Sequence, residues 1–230
     1  YRAFSCHMSR HGTIALTHMQ PLDTIFVVVI VVFSAIIHEV MHGVAAEWLG
    51  DKTARWAGRL TLNPLPHLDP FGSVLLPILL ALTNSPIFLA WAKPVPYNPY
   101  NLRADGLFAR FNEAIVAGAG PLSNLALAIL FGLAIRSQAL PASANEILFL
   151  VVLVNVMLFL FNLLPIPPLD GSKVLEALLP QGLAASYSGW RRSMEHNPFM
   201  GMGIVLVIVL LLGDVFSSAV YALAHGIAGM

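Results

Sequence analysis

Long apolar runs separated by short polar stretches set the pattern of this chain. Four runs carry about 20 or more mostly apolar residues, enough to cross a bilayer as helices; they lie at about 22–49, 113–136, 145–164 and 198–224. The runs are continuous rather than alternating, which predicts helices and not a barrel. A fifth run, at about 71–97, is broken by Pro77 and by "TNSP" at 83–86. Its unbroken part would make a helix of roughly 20 Å, short of the ~30 Å hydrocarbon core. The prolines of "IFLAWAKPVPYNP" then favour extended chain. This run is expected to be re-entrant, with a half-helix in and an extended strand out. Unpaired backbone is not tolerated in lipid, so such a strand must face protein or a wet cavity.

Charge supports the same topology. With a re-entrant fifth run, one side of the membrane holds Lys52, Arg55, Arg59, Lys93, Arg103, Arg110, Lys173, Arg191 and Arg192, and the other holds Arg2, Arg10 and Arg136. That nine-to-three split becomes eight-to-four if the run crosses fully. The positive-inside rule favours the first arrangement, with both termini outside.

Composition makes the membrane assignment firm. The chain has 230 residues, 57% hydrophobic and 10% charged, against about 25% charged in a soluble domain. The fold class is therefore an all-α polytopic membrane protein of about four transmembrane helices. A formal net charge of zero gives no reason to expect nucleic acid. The single cysteine, Cys6, excludes an intrachain disulfide and a cysteine zinc cluster. Residues 1–21 lack a signal-peptide core and are expected to be a flexible tail, with Met8 or Met19 as candidate starts. Residues 22–230 are expected to form one membrane domain.

The chemistry sits where a span should be purely apolar. "IFVVVIVVFSAII" runs directly into His38-Glu39-Val40-Met41-His42. On a helix, residues i and i+4 share a face, so both imidazoles can grip one zinc ion while Glu39 reaches its water as general base. A structural histidine pair, or a cluster just past the hydrocarbon edge, is the plainer alternative. An ionisable group deep in a span costs about 2.5–3.5 kcal/mol on insertion scales, so metal ligation is the stronger reading. Glu47 and Lys93 read as interfacial.

A catalytic zinc takes about three protein ligands plus water. Ionisable candidates near the spans are His67, Asp69, Asp170, Glu195, His196, Asp214 and His225. Asp170 stands out in "FNLLPIPPLDGSK", where prolines stop the third span and fix the direction in which the chain leaves it.

Here the chain resembles a known family. HExxH in one span, "GPLSN" (120–124) in a second and NxxPxPxxDG (Asn162 to Gly171) closing a third are similar to the site-2 proteases, M50-type intramembrane zinc metalloproteases. The resemblance covers about 22–179. It implies that His38, His42 and Asp170 bind one Zn2+ and that Glu39 is the catalytic base. It implies that Asn162 helps hold the substrate backbone; a helix–helix hydrogen bond is the alternative. Gly120, Pro121 and Asn124 read as packing residues. Joint ligation by His38, His42 and Asp170 requires the first and third spans to end on the same side, as the re-entrant topology provides. The site then lies nearer the cytoplasmic face.

The stretches 58–72 and 91–103 resemble a compact bacterial branch of the family. The resemblance implies that 91–97, including Ala92, Lys93, Pro94 and Val95, pairs with an unwound substrate by strand addition; a structural plug is the alternative. His67 and Asp69 are candidates for groups supporting the zinc ligands, or simply for local caps and turns. No polar stretch has room for a PDZ or CBS domain, so gating is expected from the spans, the strand region or a separate partner. The expected partners are a transmembrane-protein substrate and the lipid bilayer, in the bacterial inner membrane. The rival reading is a non-proteolytic zinc-binding membrane scaffold, for which Glu39 would have no use. A weaker one is a membrane protease acting on soluble or lipidated tails.

Overall fold

The computed structural model describes residues 21–75, 79, 82, 92–103 and 109–230. The expected tail, apart from Pro21, and "TNSP" lie outside the described residues. The helices are α1 (Pro21–Trp48), α2 (Thr53–Trp56), α3 (Asn112–Arg136), α4 (Ala142–Asn162), α5 (Asp170–Leu178), α6 (Gln181–His196) and α7 (Pro198–Ala228). No strand occurs among the described residues. Segments of α1, α3, α4 and α7 are long and apolar enough to cross a membrane, so the chain is an all-α, multi-pass integral membrane protein.

Proline and glycine explain where the helices end. Pro141 precedes α4, and Pro165, Pro167 and Pro168 come after it, where a missing N–H forbids continuation. Pro198 opens α7 at its first turn, and Gly229 closes it in the left-handed region at φ 73°. α5 and α6 are not anticipated by the sequence pattern: the prolines and polar residues of 165–197 read as loop. Tertiary contacts sustain them. Arg191 of α6 reaches Glu176 of α5 at 2.6 Å, Glu195 at 2.8 Å and Glu113 of α3 at 3.7 Å.

α3 is the central helix, touching α1, α4, α5 and α7. Its small residues let the others close in, since lipid offers no hydrophobic drive between helices and packing must supply the attraction. Ala128 and Ile135 meet Val152 and Val156 of α4 and Val220 and Ala224 of α7. A Cβ on Gly132 would lie 2.4 Å from the Ile227 side chain. At the end of this seam the Arg136 guanidinium donates to the carbonyls of Gly226 and Ile227, capping α7 from α3.

The fifth run returns to its start. The N–H of Lys93 donates to the carbonyl of His67 at 2.9 Å, so the stretch between them begins and ends at one place. It opens with a wide helical turn, Pro70–Leu75, and 92–98 has no regular structure. The expected strand thus has no sheet partner among the described residues, and side chains serve its backbone instead. Buried Asp51 accepts from the N–H of Asn98 at 2.7 Å, from the Asn101 amide at 2.9 Å and from the Thr53 hydroxyl at 2.6 Å. Burial opposes its charge, but these donors outweigh burial and hold the carboxyl below the usual range.

A depressed carboxyl stabilises the fold fully above its unfolded value of about 3.9 and ceases to do so as pH falls through the folded one. Asp51→Asn is therefore expected to lower stability at neutral pH by about 1–3 kcal/mol. Thermal unfolding in detergent should show the gap to wild type narrowing below about pH 4. A gap that widens on acidification would contradict this role of Asp51.

Candidate metal centre

His38 and His42 lie one turn apart on α1, with ring centroids 4.6 Å apart. Each ring is fixed through its Nδ1. That of His38 donates to Asn124 Oδ1 on α3 at 2.7 Å, and that of His42 to the Val116 carbonyl at 2.7 Å. Asn124 has its own fixed orientation, because its amide donates to Asn155 Oδ1 at 2.9 Å and to the Ser34 carbonyl at 3.3 Å. Asn155 in turn donates to the Ser34 hydroxyl at 3.0 Å. This buried network joins α1, α3 and α4 and sets which nitrogen of His38 carries hydrogen.

With Nδ1 donating, both neutral rings turn an Nε2 lone pair toward the same point. Asp170 meets them there: its Oδ2 lies 3.2 Å from His38 Nε2 and 3.3 Å from His42 Nε2. Asp170 opens α5, and Gly171 makes its approach possible. A Cβ at 171 would stand 2.2 Å from the Leu163 carbonyl oxygen, so only glycine lets α5 begin flush against the end of α4. Gly120 on α3 does the same for the imidazoles, because a Cβ there would lie 2.5 Å from the His42 ring and 2.7 Å from His38 Nε2.

Three electron-pair donors facing one another repel unless a cation lies among them. Tetrahedral zinc at about 2.0–2.1 Å from each ligand separates the ligands by about 3.3 Å, matching the two Nε2–Oδ2 distances. The donor set His38, His42 and Asp170 therefore fits one zinc ion.

A cavity of about 210 Å3 opens on this point, lined by the two histidines, Asp170, Glu39, Asn162, Pro94, Val95, Tyr97 and Lys173 among others. Glu39 Oε2 accepts from the Val95 N–H at 2.8 Å. Asn162 donates one amide hydrogen to the Leu158 carbonyl at 2.9 Å, keeping a second hydrogen and its oxygen for the cavity. Val95 is buried, whereas Lys93 and Pro94 are exposed and Ala92 is half-buried. Of residues 93–96, two are prolines without an N–H, and the other two donate to His67 and Glu39. Strand addition there would have to use carbonyls alone or displace Glu39.

His67 and Asp69 stand away from the lining. His67 is buried, with Nε2 against the Thr61 carbonyl at 2.9 Å, and Asp69 caps the turn after it through the N–H groups of Phe71 and Gly72. His196, Asp214 and His225 are exposed elsewhere, and Glu195 belongs to the Arg191 cluster. Three residues at the site escape sequence reasoning: Asn124, Lys173 and Tyr97. Asn124 sits one turn from Gly120, which is a usable signal for a histidine partner. Lys173 comes three residues after Asp170 on α5, and its ammonium donates to the Tyr97 hydroxyl at 3.1 Å. Burial opposes the Lys173 charge, but Tyr97, Asp170 and Glu195 outweigh it and raise its pKa.

Gly120→Ala is expected to push the imidazoles apart and sharply lower zinc content in protein that still folds. Asn124→Leu, which removes the His38 partner together with the bonds to Asn155 and Ser34, should weaken zinc affinity by about 10–100-fold. Metal analysis and competition with a chelator read both effects. Stoichiometric, wild-type-affinity zinc in both variants would exclude this arrangement.

Known proteins bear on this site. The profile of peptidase family M50 matches residues 132–210, a stretch containing Asn162 and Asp170. "Putative zinc metalloprotease YwhC" of Bacillus subtilis strain 168 is 37% identical over 170 residues, covering 70% of this chain and 72% of that protein. "Putative zinc metalloprotease Rip2" of Mycolicibacterium smegmatis is 32% identical over 206 residues, covering 86% of this chain and 73% of that protein. No solved structure matches. With an HExxH pair and a distant aspartate converging inside a bundle of spanning helices, and with relatives of this likeness, the chain belongs to peptidase family M50, as a membrane zinc metalloendopeptidase of the site-2 protease type.

Proposed function

We propose that this protein hydrolyses a peptide bond within or near a transmembrane helix of a membrane-protein substrate. One observation carries the reading: the Nε2–Oδ2–Nε2 convergence and Glu39 share a single cavity among helices that span the membrane. His42 lies six residues before Trp48, about 9 Å along the helix axis. The bond attacked therefore lies inside the membrane, nearer the side carrying most lysines and arginines. That side is the cytoplasmic face of a bacterial inner membrane. Residues 22–230 form the single catalytic domain.

In this reading His38, His42 and Asp170 are the zinc ligands. Bound zinc supplies Lewis acidity, lowering the pKa of a water toward ~7 and polarising the scissile carbonyl. Glu39 takes the proton from the attacking water. One of its oxygens is held by the Val95 N–H, which leaves the other to receive that proton and pass it to the departing amine. Asn162 presents its free amide hydrogen and oxygen to the backbone of an unwound substrate segment. Pro94 and Val95 wall the cavity beside it, so the substrate contact there is chiefly van der Waals. Lys173 faces the developing negative charge from the Asp170 side. Access is governed by the spans, by 92–98 or by a separate partner.

Glu39→Gln keeps the shape of the side chain and removes the base. In proteoliposomes with a single-span model substrate it is expected to lose at least about 100-fold in cleavage rate, with zinc near one per chain. Cleavage at the wild-type rate by the variant would refute the assignment of Glu39. Zinc-loaded wild type that cuts no member of a substrate panel would favour the scaffold reading.

A further inference from the structure

We propose that Arg59 is a positioning residue for hydrolysis, acting on Glu39 through a single peptide plane. The inference rests on the reading of Glu39 as the base. Arg59 lies just past α2 and is 6% exposed. A buried guanidinium is costly to desolvate, and among the described residues no carboxylate pairs with it. Its partners are two backbone carbonyls, Lys93 at 2.6 Å and Pro94 at 3.3 Å. The Pro94 carbonyl belongs to the same peptide unit as the Val95 N–H, which donates to Glu39 Oε2 at 2.8 Å. Peptide units are planar and rigid. Arg59 therefore holds one end of a plane whose other end holds the base. A cation on the carbonyl also polarises that peptide and strengthens its N–H as a donor.

The surroundings leave this plane little freedom. Pro94 and Pro96 flank Val95 and restrict its backbone. The Lys93 N–H is tied to the His67 carbonyl at 2.9 Å. Gly43 lies one turn after Glu39 on α1, and a Cβ there would stand 2.9 Å from Val95 Cγ1 and 2.6 Å from Leu60 Cδ2. The missing side chain is the seat into which Val95 fits. Arg59 is not itself among the residues that line the cavity, and it reaches the lining only through the backbone carbonyl of Pro94. Its removal should slow the chemical step and leave substrate affinity and zinc alone.

The test uses the full chain in proteoliposomes with a single-span model substrate, measuring kcat, KM and zinc content. Arg59→Gln is expected to lower kcat by about 10–100-fold, the scale of a small misplacement of a reacting group. KM and zinc per chain should stay at wild-type values. Arg59→Lys should recover part of the loss, since an ammonium can hold one of the two carbonyls. Val95→Pro removes the N–H while leaving the Arg59 contacts, and is expected to reproduce the kcat loss; it decides the matter if Arg59→Gln does not fold. An increase in kcat would make 93–95 a lid and overturn the proposal. So would an effect on KM alone, zinc loss in step with activity, or wild-type kinetics in both variants. These outcomes are separate from failure of the functional reading, which Glu39→Gln alone decides.

Discussion

Two imidazole lone pairs that each lie within 3.3 Å of one carboxylate oxygen are repelled by it unless a cation stands among them, and much of this fold serves to enforce that meeting. α1 supplies the histidines with one turn of helix. α3 comes close enough to clasp them because Gly120 has no side chain, and its Val116 carbonyl and Asn124 amide fix both rings. α5 brings Asp170 because Gly171 lets its first turn press against the end of α4. The polar network Ser34–Asn124–Asn155 carries the orientation of His38 into the core, where every member has a partner. In hydrocarbon an unpaired polar group is costly, so this network is both scaffold and registration device.

The same constraint governs the irregular chain beside the site. Residues 92–98 bring polar backbone to the cavity without a helix or sheet to satisfy it. Charged side chains take over that duty: Arg59 at the carbonyls of Lys93 and Pro94, Glu39 at the Val95 N–H, Asp51 at the Asn98 N–H. Lys173 holds the Tyr97 ring from the opposite wall. Stability of this strap and orientation of the base are thus one set of interactions. Substitutions that loosen 92–98 should not be read as affecting folding or catalysis separately.

The spans are legible because a membrane imposes a length and a polarity that a sequence either meets or fails. The lone HEVMH is legible as a zinc motif because i and i+4 share a face in any helix, whatever surrounds it. α5 and α6 are not, since the prolines and polar residues of 165–197 look like loop until Arg191 is seen joining Glu176, Glu195 and Glu113. Asn124 reads as packing because the sequence does not show which side chain 86 positions away faces it. Arg59 reads only as membrane charge, and Lys93 as an interfacial residue within the expected pairing strand; their contact across 34 residues is a tertiary fact. The expected pairing strand is plausible from its prolines, yet those prolines also remove the donors a strand would need.

By itself, then, the sequence determined the class of fold, the likeness to site-2 proteases and the residue types for a zinc site, because periodicity, span length and motif spacing are local properties. Tertiary structure alone decided which atoms face one another. It turned His38 and His42 by their Nδ1 partners, brought Asp170 to them across more than 120 residues, and folded 92–98 back onto Glu39. Those outcomes depend on how closely helices approach at Gly120, Gly171 and Gly43. An approach distance depends on both surfaces at once, which a linear pattern does not encode.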